Sequence, residues 1–257
     1  MSDTLAEYEL PRDLIFLAMA ESGFNNSARS HAAAVGPWQF IRGTGKNFGL
    51  KINYYLDERR NPIKSSIAAA KFLKSLHTMF GDWNLAKAGY NAGPGKVARA
   101  VKRYDSENFW EISKGRYLKP ETKNYVPKIM ALAIVGKNLE SFGFDNFEFM
   151  EPLEYEEIDV PMASDLYLIS ERIGVSYKDI KRYNPELTRW QTPPGRGSYK
   201  LKVPSGSGAF WDDAHRLSVR ARKHQYYKIK TGGTLGAVAS KYNFCLLYTS
   251  PSPRDRG

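Results

Sequence analysis

Glu21 is the residue whose type and position most clearly indicate chemistry. It continues the apolar stripe of Leu14, Leu17 and Ala18 at helical spacing, so we expect it to face the interior, in the last turn of its helix. Burial and the negative end of a helix dipole both disfavour the carboxylate and raise its pKa. Such a carboxyl group suits general acid catalysis near neutral pH. The alternative is a buried glutamate paired with an arginine or lysine, and periodicity alone does not separate the two.

Glu21 lies in the first of four blocks that combine polar, aromatic and glycine residues. They are ESGF at residues 21–24, SHAAAVGPWQFI at 30–41, AGYNAGPG at 88–95 and ETKNYVP at 121–127. In this order the blocks resemble the lytic transglycosylase domain of the soluble-lytic-transglycosylase family, which has a lysozyme-like fold. The resemblance covers residues 8–142. The segment NYYLDERRNP at 53–62 is most similar to the membrane-bound, D-type members of that family.

The resemblance implies a cofactor-independent lyase that cleaves the β-1,4 bond between N-acetylmuramic acid and N-acetylglucosamine in peptidoglycan strands. Glu21 would protonate the leaving oxygen and then, as a base, take the proton of the C6 hydroxyl, which closes a 1,6-anhydro ring without water. Most glycosidases use a second carboxylate, and no second acid stands near Glu21 on its predicted face. Two alternatives stay open, a hydrolysing lysozyme of the goose type and a non-catalytic cell-wall binding protein.

The resemblance also assigns substrate-binding roles to six residues: Ser30, Gln39, Tyr90, Asn91, Glu121 and Tyr125. Ser30 matches a serine near the acid and the sugar N-acetyl group, although a serine that only closes a turn fits equally well. Gln39 matches a glutamine that lines the cleft, with Pro37 in place of the usual leucine.

The remaining roles concern residues from the last two blocks. Tyr90 is expected to pack on a sugar face and Asn91 to hold its loop. Tyr125 would hydrogen-bond Glu21, while Glu121 would steer that tyrosine or meet the stem peptide.

Five helices are needed to position these blocks, and caps and apolar spacing predict them. Pro11 begins the first and Gly23 ends it; Asn61-Pro62 begins the second, which Gly81 ends. Asp82 caps a third that reaches Tyr90, a fourth follows to residue 104, and a fifth contains Tyr125 and places Pro127 in or near its first turn. These helices make residues 8–145 a mainly α-helical domain.

The rest of the chain changes pattern after an acidic linker at residues 146–157. Residues 158–205 read as strand, helix capped by Ser164, helix capped by Ser176, and strand. This β-α-α-β unit resembles a diverged LysM module, a small binder of N-acetylglucosamine polymers, and a packing spacer without sugar affinity fits as well. Residues 206–223 are predicted to be a second linker, 224–244 a truncated LysM module, and 245–257 a non-native tail. We therefore expect a mainly α fold followed by small β-α-α-β units, and a catalytic domain that folds without residues 205–257.

Composition excludes several classes of protein. Hydrophobic residues make up 42% of 257, enough for a sizeable core, and the net charge of +11 favours an anionic partner. No nucleic-acid-binding motif is present, one cysteine excludes a cysteine-based zinc site, and the four histidines lack ligand spacing, so we expect neither nucleic acid nor metal. No signal peptide is visible. Because the resembled family is exported, we expect a periplasmic, outer-membrane-associated protein of which this chain is a fragment.

Overall fold

The computed structural model describes residues 1–144, 151–212, 219–221, 234 and 236. Residues Met1–Arg220 form one compact unit, and Ala221–Gly257 is a second, of which only residues 221, 234 and 236 are described. The first unit is a mainly α-helical domain followed by a β-α-α-β unit, so the predicted fold class is confirmed.

Helices of very different length build the N-terminal domain. In the part described before residue 145 there are eight α-helices: α1 Ser2–Glu7, α2 Ile15–Ser22, α3 Arg42–Asn47, α4 Pro62–Phe80, α5 Trp83–Ala92, α6 Pro94–Tyr104, α7 Phe109–Lys114 and α8 Pro120–Lys137. Short 3₁₀ turns lie at Arg12–Leu14, Glu58–Arg60 and Glu140–Phe142.

The predicted caps of the second and third helices are confirmed. The Asn61 side chain accepts hydrogen bonds from the backbone N–H groups of Ile63 and Lys64 at the start of α4. Gly81 ends α4 in the left-handed conformation, with φ of 67°. Asp82 then caps α5 by accepting from the N–H of Leu85. Local capping chemistry is readable in sequence because it involves neighbouring residues only.

Other helix boundaries differ from the prediction. The helix expected from Pro11 is a 3₁₀ turn followed by α2, which ends at Gly23 as predicted. α8 begins at Pro120, so Pro127 lies inside the helix and not in its first turn. The helices α1, α3 and α7 were not predicted, because they have six residues each and are too short to show a periodic stripe.

Two apolar clusters form the core of the helical domain. The larger joins α1, α2, α4 and α8 and includes Leu5, Leu17, Trp38, Leu73 and Ile129. The smaller joins α5, α6, α7 and α8 and includes Leu85, Val97, Phe109, Ile112 and Val126. α8 belongs to both, so it fixes the position of Tyr125 relative to α2. The burial of Leu5 also shows that the domain begins before the predicted residue 8.

The β-α-α-β unit contains β1 Tyr155–Pro161, α9 Leu166–Arg172, α10 Tyr177–Tyr183 and β2 Ser198–Pro204. The strands are antiparallel, with Ile158 opposite Leu201. Asp165, not the predicted Ser164, caps α9 by accepting from the N–H of Tyr167. Ser176 caps α10 as predicted.

Both predicted linkers contain residues that belong to this unit. β1 begins at Tyr155, inside the expected 146–157 linker. In the expected 206–223 linker, Trp211 Nε1 donates to the carbonyl of Asp159 at 3.1 Å. Val219 is fully buried, and its carbonyl accepts from the N–H of Asp165 at 2.8 Å. The prediction of a linker at residues 206–223 is therefore wrong for Trp211 and Val219, because both pack in the apolar core of the unit. The predicted truncated module and tail, 224–244 and 245–257, lie outside the described residues apart from 234 and 236.

The β-α-α-β unit packs directly on the segment 53–61 of the helical domain. Leu56 lies in the apolar cluster of the unit and forms a bridge with Leu187. The Asn61 amide donates to Glu186 Oε1 at 2.8 Å, and the guanidinium of Arg189 lies 3.6 Å from the centre of the Tyr54 ring. Buried apolar and polar contacts therefore hold the two parts in one compact unit.

Candidate active site

The Glu21 carboxyl lies at the end of α2 and meets the side chain of Tyr125 from α8. The Tyr125 hydroxyl donates to Glu21 Oε1 at 2.5 Å. Burial raises the pKa of Glu21, while the Tyr125 hydrogen bond and the positive charge of Lys128 lower it; the net shift is upward. A half-buried carboxyl with a raised pKa can hold a proton at higher pH than an exposed glutamate, and can donate it.

Tyr125 is suited to act as a fixed donor to that carboxyl. Its side chain is buried in the larger core cluster. Burial first, and then the negative charge of Glu21, raise the pKa of Tyr125 well above its usual value. The hydroxyl therefore stays protonated throughout the physiological range and orients the carboxyl group.

Lys128 is a contact of this site that was not predicted from the sequence. Its ammonium donates to the carbonyl of Ala20 at 3.2 Å, next to Glu21, and its charge lowers the pKa of the Glu21 carboxyl. Lys128 follows Tyr125 by three residues on α8, so helical spacing puts both on one face. That spacing is the signal by which the sequence could have found it.

The loop 28–40 forms a second part of the site. Ser30 Oγ accepts from the N–H of Ala34 at 3.1 Å, which is the contact of a turn serine. The Gln39 amide donates to the carbonyl of Gly36 at 2.8 Å, and the Gln39 backbone has a φ of 47°. In the described residues no hydrogen bond joins Ser30 or Gln39 to Glu21.

A buried arginine holds this loop and was also missed. Arg59 forms a bidentate pair with Asp57 at 2.9 and 2.7 Å and donates to the carbonyls of Ala33 and Phe40. Arg59 and Asp57 are both buried, and a buried charge needs such a partner. Gly36 touches the same segment, because a Cβ at that position would lie 1.8 Å from the Arg59 carbonyl oxygen.

Residues of α5 and α8 complete the predicted set. The Tyr90 hydroxyl donates to the carbonyl of Trp38 at 2.7 Å, and the Tyr90 ring lies 5.1 Å from that of Phe72. The Asn91 amide donates to Glu121 at 3.3 Å and accepts from the Thr122 hydroxyl at 2.8 Å. Burial first and then the charge of Glu21 raise the pKa of Tyr90, so this ring too is electrostatically coupled to Glu21.

The described residues contain no group of three or more histidine, cysteine, aspartate or glutamate side chains that could hold a metal ion. Within the same ranges, no helix combines the length and the apolar character needed to cross a bilayer.

The chain matches two protein families. Residues 3–113 match the family described as "Transglycosylase SLT domain". Residues 154–218 match "Lytic transglycosylase MltD, LysM-like domain". The second match begins one residue before β1, includes Trp211 and ends one residue before Val219.

Among curated relatives, membrane-bound lytic murein transglycosylase D of Escherichia coli is 30% identical over 249 residues, 90% of this chain and 54% of that protein. Peptidoglycan transglycosylase gp16 of Escherichia phage T7 is 33% identical over 141 residues, 53% of this chain and 10% of that protein. The chain spans about half the length of the first of these relatives and a small part of the second.

Among solved structures, an inactive mutant of lytic transglycosylase Slt from Pseudomonas aeruginosa has 27% identity and a TM-score of 0.46, covering 54% of this chain and 24% of that one. The 70 kDa soluble lytic transglycosylase from Escherichia coli has 21% identity and a TM-score of 0.47, with the same coverage. By family match, residues 3–113 resemble a transglycosylase SLT domain, and residues 154–218 resemble the LysM-like domain of lytic transglycosylase MltD.

Proposed function

We propose that this protein is a peptidoglycan lytic transglycosylase with Glu21 as its general acid and then its general base. The observation that carries the proposal is the half-buried Glu21 carboxyl, with its raised pKa and its hydrogen bond from Tyr125, within the SLT match. The named relatives, a lytic murein transglycosylase and a peptidoglycan transglycosylase, support the same reaction class.

In the first step the protonated Glu21 transfers its proton to the glycosidic oxygen between N-acetylmuramic acid and N-acetylglucosamine. The bond from C1 of the muramic acid to that oxygen breaks, and the sugar's N-acetyl group stabilises the positive charge at C1. Glu21 is now a carboxylate, and the Tyr125 hydroxyl stabilises that charge through its hydrogen bond.

In the second step the Glu21 carboxylate takes the proton from the C6 hydroxyl of the muramic acid. The C6 oxygen attacks C1 and closes the 1,6-anhydro ring. Glu21 is protonated again, so one carboxyl group serves the whole cycle and no water is consumed. Hydrolysis would instead add one water to the products.

Roles for the other residues follow from their contacts. We assign Gln39, Tyr90 and the Asn91–Glu121 pair to substrate binding, because Gln39 and Tyr90 donate to carbonyls of the loop 28–40 and the charge of Glu121 acts on Glu21. Ser30 is assigned to the same cleft through its position in the loop 28–40. Because the substrate lies outside the cytoplasm, we place the protein in the periplasm, in association with the outer membrane.

The Glu21→Gln variant tests this proposal on isolated sacculi. Removal of a positioned acid–base group costs about 10²–10⁴-fold in rate, so the variant should release no measurable muropeptides while it still binds sacculi. Mass spectrometry of the wild-type products should give anhydro ends. Ends that carry one additional water would indicate a goose-type lysozyme, and a variant with more than a tenth of the wild-type rate would contradict the role of Glu21.

A Glu9→Gln variant is the matched control. Glu9 is an exposed carboxylate whose ion pair with Lys74 lies outside the site. The same loss of charge there should leave the rate unchanged. If wild-type protein binds sacculi and releases nothing, the protein is a non-catalytic binder.

A further inference from the structure

A cavity of about 640 Å³ lies where the helical domain meets the LysM-like domain. Residues 25–27 and Arg60 form its wall on the first domain, and α10 contributes Lys178, Lys181 and Arg182. We call this cavity the basic pocket. The three α10 residues stand at i, i+3 and i+4, so they present their charges on one helical face.

The basic pocket brings four basic side chains together, those of Arg60, Lys178, Lys181 and Arg182. Among the described residues, none of its four basic side chains forms an ion pair. The Lys181 ammonium donates to the backbone carbonyls of Leu187 and Arg189. Burial first and then the charge of Arg60 lower the pKa of Lys181. Like charges at this spacing destabilise a helix, so the arrangement favours an anionic ligand.

The carboxylate of Glu186, whose charge acts on Lys181, does not remove the positive charge of the basic pocket. Glu186 offsets part of the effect on Lys181, but its Oε1 is bonded to Asn61 and Tyr199. Its side chain lines a different cavity, together with Lys51 and Lys64.

Two buried polar atoms of the lining residues also lack a hydrogen-bond partner within the described part of the chain. They are the donor Arg60 Nε and the acceptor Asn26 Oδ1. Buried polar groups are normally satisfied, and such exceptions require an explanation. Both atoms are covered in this structure, so a ligand reaches them once the two side chains turn toward the cavity. A ligand that supplies carboxylate oxygens to the cations and an amide N–H to Asn26 would then satisfy both. A peptide with free carboxyl groups has both anionic oxygens and amide N–H groups. An inorganic phosphate has the anionic oxygens but no amide N–H.

The basic pocket is also close to the acid along the chain. Asn25 follows Glu21 by four residues, which limits their Cα separation to about 14 Å. The same loop continues to Ala28, whose carbonyl accepts from Gln39 at 3.4 Å. One substrate strand can therefore contact both regions.

We propose that the basic pocket binds the carboxylate-bearing stem peptide of the strand whose glycan bond Glu21 cleaves. The inference rests on the proposed function for the identity of the strand. With this role, the basic pocket makes the protein bind strands that carry peptides in preference to bare glycan.

Binding to an uncleavable probe tests the proposal separately from activity. The probe is the disaccharide of N-acetylglucosamine and N-acetylmuramic acid that carries a tetrapeptide, compared by calorimetry with the same disaccharide without peptide. In the full chain, Lys178→Glu with Arg182→Glu should weaken binding of the peptide-bearing probe about tenfold, equivalent to ~1.4 kcal/mol. Both side chains are exposed, so the variant should fold, and circular dichroism checks this. The milder pair Lys178→Gln and Arg182→Gln should weaken binding about threefold, half that free energy.

Arg172→Glu with Arg196→Glu is the matched control. Both arginines are exposed residues of the same domain outside the basic pocket, and the pair changes the net charge by the same amount. The control should bind the peptide-bearing probe as the wild type does. Equal weakening by both pairs, or equal wild-type affinity for the two disaccharides, would overturn the proposal. If the affinities differ as expected but sacculi are not cleaved, the proposed function fails and the pocket assignment stands as a peptide-binding site.

Discussion

At the scale of single residues, the pKa of Glu21 depends on some surroundings that raise it and on others that lower it. Burial and the charge of Glu121 raise its pKa, and Tyr125 and Lys128 lower it. Glu121 is held by Asn91, and Lys128 by the carbonyl of Ala20. The acid is thus positioned between two charges that can be changed independently.

The variants Glu121→Gln and Lys128→Gln should shift the pH profile of kcat/KM in opposite directions. A general acid is lost as pH rises through its pKa, which sets the alkaline limb. Without Lys128 the pKa of Glu21 rises and the limb moves to higher pH; without Glu121 it moves to lower pH. Both side chains are exposed, so each shift should shrink as salt is added. Shifts of the same sign would contradict this electrostatic assignment.

Burial of the Glu21 carboxyl should lower the stability of the folded protein at neutral pH. A carboxyl whose pKa is higher in the folded state binds protons more tightly there, so its stabilising contribution falls as pH rises above the unfolded pKa of about 4.3. At pH 7 the Glu21→Gln variant should therefore have a higher melting temperature than the wild type. Each pKa unit corresponds to about 1.4 kcal/mol. Thermal unfolding of the wild type and the variant at pH 7 and at low pH measures the difference in melting temperature. At low pH Glu21 is protonated in both the folded and the unfolded state, so a difference that persists there would contradict this explanation.

At the scale of elements, the loop 28–40 depends on a close approach between two backbone segments. Gly36 has a φ of 83°, and an added Cβ would meet the Arg59 carbonyl oxygen. Gly49 has a φ of 93° and no atom within 4 Å of such a Cβ. Substitution of Gly49 by alanine therefore measures the cost of the left-handed backbone alone, whereas substitution of Gly36 adds the cost of the steric clash.

Gly36→Ala should therefore destabilise the protein more than Gly49→Ala. The left-handed conformation costs a non-glycine residue about 1–2 kcal/mol, and that is the expected loss at Gly49. At Gly36 the loop must also move away from Arg59, so both the stability and kcat should fall further. Denaturant unfolding and turnover of sacculi provide the comparison, and equal losses would show that the loop moves freely.

At the scale of the whole molecule, the compact unit ends near residue 220 and not at residue 205. Val219 and Trp211 pack on the LysM-like domain, and that domain in turn packs on the segment 53–61. The loss of residues after 205 is thus expected to affect the domain that forms one wall of the basic pocket.

A chain that ends at Pro204 should unfold at a lower temperature than a chain that ends at Ala221. Removal of Val219 alone exposes a core that its burial stabilises by about 1.5–3 kcal/mol. Differential scanning calorimetry of the two truncated chains measures the difference. Identical melting temperatures would restore the linker interpretation of residues 206–223.

The sequence by itself determined the features that depend on neighbouring residues. Asn61, Gly81 and Asp82 were identified as helix boundaries because caps act within one turn. Helical spacing predicted the inward position of Glu21, and the order of the four blocks indicated the family that the comparisons support.

Tertiary structure alone decided the contacts between residues distant in the chain. The short helices α1, α3 and α7 bury too few residues to show a periodic pattern and are stabilised by packing. Arg59, with its carbonyl contacts at Ala33 and Phe40, and Val219 were not predicted because their partners are set by the fold. The basic pocket has the same origin: Arg60 and Arg182 are far apart in sequence, and only the docking of the two domains brings their charges to one cavity.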